Sequence, residues 1–280
     1  MKLGLVEIVI PTFNQVDTIC FAIDSVLKQD YEPILIHVFD DCSTDGTWEL
    51  ISGRYSTLGL AKIRLYRNLI NIGDPIDSIM QSKVEFEGQF WGYLEGDDYL
   101  GVKDKISIQV NALNERADLA GVSSICKMEN ELTGESSFIH PDVPEWNYRD
   151  IVFDSEKFAF YVHTSSVLWR NFSAQFNGQL FPHSIKKVSQ KSEVAVHQFI
   201  LRATGLNFKH LDFIGSTYRY NGKGVWSSKS EFEQLSINLS QKIELENLVP
   251  FWYKVFYRLE NNLIVKKLRP RRFNSRIRIP

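Results

Sequence analysis

Phe90-Trp91-Gly92-Tyr93-Leu94-Glu95-Gly96-Asp97-Asp98-Tyr99-Leu100 runs an apolar, strand-length stretch straight into three carboxylates with only Gly96 among them. Burying that much negative charge at a strand end is unfavourable unless something positive binds there. Hard divalent cations prefer oxygen ligands, and Mg²⁺ or Mn²⁺ is commonly held by one or two carboxylates plus the phosphates of a substrate. The stretch therefore fits a cation–diphosphate site at the carboxyl end of a sheet strand. Gly-Asp-Asp is also good turn chemistry, so a solvated acidic turn is the alternative for this segment taken alone.

Upstream, the pattern decides between the two. Val6 to Ile10 reads as a buried strand closed by Pro11-Thr12-Phe13-Asn14, and Val16, Ile19, Cys20, Ile23, Val26 and Leu27 then recur at helical spacing. A second strand, Ile34 to Phe39, ends in Asp40-Asp41-Cys42-Ser43-Thr44-Asp45-Gly46-Thr47. A helix from Trp48 to Tyr55, a strand from Ile63 to Arg67, a polar loop from Asn68 to Pro75 and a helix from Ile76 to Val84 lead into the strand Phe90 to Leu94. Strand alternating with helix at this pace predicts an α/β fold, a doubly wound and mostly parallel sheet. Ligands of such sheets bind outside the carboxyl ends of the strands. Here three strand ends carry polar groups: Thr12 and Asn14; Asp40, Asp41 and Ser43; Glu95, Asp97 and Asp98. The dinucleotide Gly-x-Gly-x-x-Gly and the Gly-x-x-x-x-Gly-Lys-Ser/Thr loop are both absent, which disfavours hydride transfer and P-loop phosphotransfer.

Beyond Asp104 the texture changes. A helix is expected around Ile106 to Leu113, a strand at Ala120 to Cys126, a loop from Thr133 to Trp146 and a strand from Phe158 to Trp169 containing His163. A helix from Ser192 to Ala203 and a strand from Phe213 to Tyr220 follow. The chain of 280 residues is 44% hydrophobic and 24% charged, an ordinary globular composition with ample core. Its three cysteines are scattered and lack metal-ligand spacing, which fits a reducing cytosol, and the N-terminus shows no signal-peptide pattern. The formal charge of −2 hides an asymmetry: residues 254–280 hold nine Lys/Arg and one acid, against 23 basic and 33 acidic residues before them. An acidic body with a basic tail is no nucleic-acid binder. Phe251, Trp252, Tyr253 and Phe256, then Leu259, Leu263, Ile264 and Leu268 among Lys and Arg, suit a helix lying on an anionic membrane, or a packed helix followed by a disordered basic end.

The chain resembles the inverting, nucleotide-sugar-dependent glycosyltransferases of family 2, which have the GT-A fold. Four stretches carry the resemblance: Ile8-Val9-Ile10-Pro11-Thr12-Phe13-Asn14, Asp24-Ser25-Val26-Leu27-Lys28-Gln29, Val38 to Thr47, and Leu94-Glu95-Gly96-Asp97-Asp98-Tyr99. His163-Thr164-Ser165-Ser166-Val167 and Tyr218 to Ser227 resemble C-terminal motifs of a bacterial subgroup more weakly. The resemblance implies a nucleotide-sugar-binding half over residues 1–103, an acceptor-binding half over 104–228, and a helical, basic extension over 229–280.

It also implies roles. Asp40 would accept the ring N–H of uracil or thymine, with Pro11, Thr12, Phe13 and Asn14 lining base and ribose. Asp41, Asn71, Gly73, Glu95 and Gly96 would complete the donor site. Ser43 and Asp45 suit helix capping ahead of Trp48. Asp97 and Asp98 would bracket Mn²⁺ or Mg²⁺ and the donor, neutralising the departing diphosphate. Glu193, at a helix start, best matches the general base, though acids are also favoured there by the macrodipole; His197 is the second candidate. His163, Asn221 and Trp226 would lie at the acceptor or diphosphate loop. Two departures stand out: Asp77-Ser78 replaces an expected Arg-Asn pair, and Asn221 replaces a common His.

The resulting expectation is a cytoplasmic bacterial enzyme adding one sugar from a UDP- or dTDP-sugar to a glycan, lipid-linked and destined for a surface polysaccharide. A catalytically inactive nucleotide- or glycan-binding relative and a nucleotidyltransferase are the rivals. The second should show a Gly-rich phosphate loop after the first strand, which Pro11-Thr12-Phe13-Asn14 does not supply.

Overall fold

The computed structural model describes residues 1–141, 143–146, 162–176, 178, 180–181, 193–222, 229–230, 232–233 and 236. Trp226 and the aromatic, basic segment from Val249 onward lie outside these residues. The first half follows the sequence pattern closely: β1 (Lys2–Thr12), α1 (Ile19–Leu27), β2 (Ile34–Asp40), α2 (Thr47–Tyr55), β3 (Ile63–Arg67), α3 (Pro75–Gln81) and β4 (Gly88–Tyr93). After it come β5 (Tyr99–Leu100), α4 (Lys105–Glu115), β6 (Leu119–Asn130), β7 (Ser136–Ile139), β8 (Glu145–Trp146), β9 (Val167–Arg170), a helix termed α5 here (Glu193–Thr204) and β10 (Asn207–Tyr220).

One sheet runs β3-β2-β1-β4-β9-β6-β10-β5, with β7 on the edge of β6 and β8 on the edge of β10. The pairings of β3, β2, β1 and β4 are parallel, and β9 reverses between β4 and β6, so β3, β2, β1, β4, β6 and β10 all point one way. Alternate residues of the strands feed two cores. Val6, Ile8, Ile10, Ile36 and Val38 pack under α1, α2 and α4 through Ile19, Ile23, Val26, Ile51, Ile106 and Val110. Val9, Phe39 and Trp91 face the other way, onto Ile76 and Ile79 of α3 and Val196, Ile200 and Leu201 of α5. With both faces covered, the central strands read as nearly continuous apolar runs. This is the doubly wound, Rossmann-like α/β architecture that the alternation predicted.

The second half departs from the sequence reading at its edges. The stretch read as a loop from Thr133 to Trp146 holds β7 and β8. Both are short edge strands, and β7 is exposed along most of its length, so no alternation of burial marked it. They form because β6 and β10 are longer than their main partners. β9 pairs with β6 only over Gly121 to Ser123, leaving Cys126 to Glu129 for β7. The strand expected over Phe158 to Trp169 begins only at Val167; residues 158–161 lie outside the described part, and Thr164–Ser166 forms a single 3₁₀ turn. Because β9 is antiparallel to β4, with Gly92 opposite Leu168, that turn lies just past the carboxyl end of β4.

Candidate active site

The register of the sheet brings the polar strand ends into line: Thr12 pairs with Asp40, and Asp40 with Arg67. Asp41 N donates to Thr12 O, and Gly96 N to Pro11 O (3.2 Å). The loops after β1 and β2 are stitched side chain to backbone. Asn14 N donates to Ser43 Oγ (2.9 Å), Thr44 N to Asn14 Oδ1 (2.8 Å), Gln15 N to Thr47 Oγ1 (3.0 Å) and Val16 N to Asp45 Oδ2 (3.1 Å). Ser43 is thus a cross-loop acceptor rather than a helix cap. Asp45 does serve the start of α2, accepting from Thr47 N (3.0 Å). Asn14 and Cys42 hold φ of 51° and 63°, left-handed conformations that cost energy in non-glycine residues and gather at functional loops. Phe13 stays 45% exposed on the rim.

Asp40 is fully buried. Its Oδ2 accepts from Ser43 N (3.2 Å) and lies 3.4 Å from Arg67 Nε, while Oδ1 is buried with no hydrogen-bond partner. Burial pushes this carboxyl above its ordinary range, against the pull of Ser43 and Arg67. Asp41 is spent otherwise. Its carboxylate accepts from Asn68 Nδ2 (2.7 Å), Ile72 N (3.0 Å) and Gly73 N (2.8 Å), and its carbonyl from Asn71 Nδ2 (3.1 Å). It anchors the loop after β3, in which Gly73 takes φ 75°. Ser78 Oγ accepts a second proton from Asn68 Nδ2 (2.7 Å), so this residue of the departed Asp77-Ser78 pair supports the same loop.

The acidic turn follows β4. A side chain at Gly96 would collide with Gln15 Oε1 and press on Thr12 Oγ1, which explains the glycine among the carboxylates. Asp97 is half-buried, its pKa raised by burial and moderated by Arg219 and by a hydrogen bond with Gln15. Asp98 is 1% exposed. Its Oδ1 accepts from Arg219 N on β10 (3.3 Å), and its buried Oδ2 accepts no hydrogen bond. That oxygen lies 3.7 Å from His163 Nδ1, while the nearby Ser165 hydroxyl is turned to the same Nδ1 at 2.8 Å. Thr164 Oγ1 donates to Glu95 Oε1 (2.7 Å). Burial, then the charges of Glu95 and Asp97, drives the Asp98 carboxyl well up, and burial keeps His163 neutral.

Glu95, Asp98 and His163 offer one ligand atom each, all within 4.8 Å of one another. A fully buried carboxylate oxygen without a donor, beside a second carboxylate and a neutral imidazole, suits a divalent cation. Asp97 is outside this group of three.

The remaining expected residues are dispersed. Glu193 opens α5, and its side chain is outside the described part. His197, one turn on, is 3% exposed, lies 5.2 Å from the Trp169 ring and is held neutral, its pKa lowered to about 3 by burial and then by His163. Asn221 follows the end of β10, partly exposed. Sequence reasoning missed Gln15, Arg67, Thr164 and Arg219. Arg67 was within reach, since it ends β3 beside the acids that end β2; Gln15 bore no local signal, and Thr164 stood in a quoted motif without a role of its own.

A doubly wound sheet with Asp40 and an acidic turn at the carboxyl ends of β2 and β4, on either side of β1, has the GT-A-like architecture. Residues 7–174, more than half of the chain, match the family model described as Glycosyl transferase family 2, and the chain belongs to that family. It is 31% identical over 144 residues to the Escherichia coli UDP-Glc:alpha-D-GlcNAc-diphosphoundecaprenol beta-1,3-glucosyltransferase WfaP, covering 51% of this chain and 54% of that one. It is 27% identical over 136 residues to the Bacillus subtilis putative teichuronic acid biosynthesis glycosyltransferase TuaG, covering 49% and 52%. The chain thus spans about half the length of these curated relatives. Among solved structures, Staphylococcus aureus TarS 1–349 in complex with UDP-GlcNAc superposes with TM-score 0.61 at 18% identity, over 93% of this chain and 71% of that one. The mannosyltransferase PcManGT from Pyrobaculum calidifontis, in complex with GDP-Man and Mn²⁺, gives 0.62 at 14%, over 93% and 72%. At these identities the structures establish the shared fold.

Proposed function

We propose that this protein transfers a sugar from a UDP- or dTDP-sugar to a hydroxyl of a lipid-linked glycan, with inversion, during assembly of a surface polysaccharide. The observation that carries the reading is a pair of buried carboxylate oxygens without hydrogen bonds, Asp40 Oδ1 at the end of β2 and Asp98 Oδ2 after β4, the two strands that flank β1. Each costs stability until a ligand satisfies it. The imide N–H of a pyrimidine answers the first and a divalent cation the second, and a nucleoside diphosphate joined to a sugar offers a base for the one and phosphate oxygens for the other. The relatives support the choice of donor and setting: WfaP is described as using UDP-Glc, and TuaG as acting in teichuronic acid biosynthesis.

In this reading residues 1–103 bind the donor and 104–228 the acceptor. Pro11, Thr12, Phe13 and Asn14 hold base and ribose beside Asp40. Asp41 positions Asn71 and Gly73, and Gly96 lets the acidic turn approach the first loop. A divalent cation held at Asp98 would supply positive charge against the departing diphosphate. Glu193 takes the proton of the acceptor hydroxyl as its oxygen bonds to the anomeric carbon and the sugar–phosphate bond breaks. Asp97 faces the donor, and Asn221 belongs to the acceptor or diphosphate loop. Among the described residues no helix is long and apolar enough to cross a membrane; contact with a lipid-linked acceptor at the cytoplasmic face would come through the basic segment after residue 253.

The test is a panel of UDP-, dTDP- and GDP-sugars with Mn²⁺ or Mg²⁺, following thermal stabilisation, donor hydrolysis and transfer, alongside Asp98→Asn. Metal-dependent turnover of a pyrimidine donor, lost in the variant, is expected. Stabilisation without turnover for any donor would instead indicate an inactive binding relative, and preference for a GDP-sugar would overturn the role given to Asp40.

A further inference from the structure

His163 sits in the wall of the acidic turn for a reason of topology: the reversal of β9 carries the turn before it back past the end of β4. Around it the neighbours are arranged as outer supports. Ser166 Oγ donates to the His163 carbonyl (2.6 Å), Thr164 Oγ1 holds Glu95, and the Tyr218 ring stacks on the imidazole at 4.7 Å. Such second-layer contacts fix the orientation of metal-binding side chains. The 3.7 Å between His163 Nδ1 and Asp98 Oδ2 is too long for a hydrogen bond. It is close to the roughly 3–3.5 Å expected between two atoms bound to one ion at about 2.1 Å each.

We propose that His163 is an inner-shell nitrogen ligand of the cation, together with Asp98 and Glu95, and that these three side chains bind Mn²⁺ before any nucleotide arrives and in preference to Mg²⁺. A site of one or two carboxylates leaves Mg²⁺ dependent on substrate phosphates. A third protein ligand removes that dependence, and an imidazole nitrogen shifts selectivity toward first-row transition ions. Asp97, half-buried and engaged with Gln15, is left to face the donor. The Ser165 hydroxyl, 2.8 Å from Nδ1, is the group that must turn away. The inference rests on the transferase reading for the use of the ion, but not for its binding.

The experiment uses the full chain without nucleotide. Mn²⁺ is titrated and free ion followed by electron paramagnetic resonance, nitrogen coupling to bound Mn²⁺ is read by pulsed methods, and Mg²⁺ is added as competitor. One equivalent of Mn²⁺ with ¹⁴N coupling is expected, displaced only by at least about tenfold more Mg²⁺. His163→Ala loses the coupling and weakens Mn²⁺ about tenfold or more, with the fold checked by circular dichroism; Ser165→Ala retains both. If His163→Ala fails to fold, the nitrogen coupling in the unaltered protein decides. Mn²⁺ that binds only with UDP present, or with oxygen ligands alone, overturns the proposal. Sugar transfer measured in parallel separates the two readings. Equal transfer with Mg²⁺ and no nitrogen coupling sinks the ligand assignment alone, whereas a nitrogen-coupled Mn²⁺ site with no transfer for any donor sinks the transferase.

Discussion

Asp40 combines a functional and a structural consequence in one carboxylate. With the pKa raised by burial above its ordinary 3.8, the folded state holds this proton more tightly than the unfolded chain does. Stability is therefore surrendered as pH rises from about 3.8 through the folded-state value. Asp40→Asn is expected to stabilise the ligand-free protein at pH 7.5 and to lose that advantage near pH 4, as read by denaturant midpoints. The same change should weaken UDP binding by about 10–100-fold, the worth of a hydrogen bond to a charged group. Gly96→Ala acts by packing instead. Displacing Gln15 and Thr12 should cost about 1–3 kcal/mol and weaken nucleotide binding together, measured by chemical denaturation and by titration. Residues of this kind were the most legible in the sequence, because Asp40 and the acids around Gly96 stand at strand ends that hydrophobic periodicity locates. His163 was less legible: a lone His-Thr-Ser-Ser bears no register, and its meeting with Glu95 follows only from the direction of β9.

At the scale of elements, the four strands and three helices before residue 95 were readable, since each is buried on a repeating face. The 3₁₀ turn and β7 were not, because each takes its form from a neighbour rather than from its own residues. The loop from Asn68 to Pro75 was readable as a loop but not as a unit held by one carboxylate. Asp41→Ala should release the three donors held by the carboxylate and loosen that loop, raising its amide exchange with little effect on the exchange of β1 and β2. Helix α4 carries an unusual burden. Lys105 is buried, with Nζ donating to Gln109 Oε1 (2.7 Å), and burial lowers its pKa to about 7 against an opposing influence from Cys126. Since the unfolded chain holds that proton up to about pH 10.5, the lysine costs stability fully below pH 7 and progressively less above it. Lys105→Met should be more stable than the parent at pH 6, by about 1–4 kcal/mol. The gain should vanish toward pH 10, where the folded lysine is neutral and still donates to Gln109, a bond the methionine lacks.

For the molecule as a whole, charge separates what the fold unites. Nine Lys/Arg against one acid after residue 253, on a body with ten more acids than bases, predict binding of the full chain to anionic vesicles in low salt. Release is expected at about 0.5 M, where the Debye length falls well below 10 Å. Sedimentation of a chain ending at residue 253 should show no such binding, and its retention would place the contact elsewhere. The long strand β10 has another bearing. Its Arg219 meets Asp98 across 121 residues of sequence, and Glu95 meets Thr164 across 69. Closing loops of that length is slow and gains little until the sheet around them has formed. During synthesis, then, the N-terminal part emerges and pairs its first four strands while the acidic turn still lacks its wall. Only when β10 leaves the ribosome can Arg219 reach Asp98, so a nascent or prematurely terminated chain would present the acidic turn unfinished, and a ligand of that turn would be held by the completed protein alone.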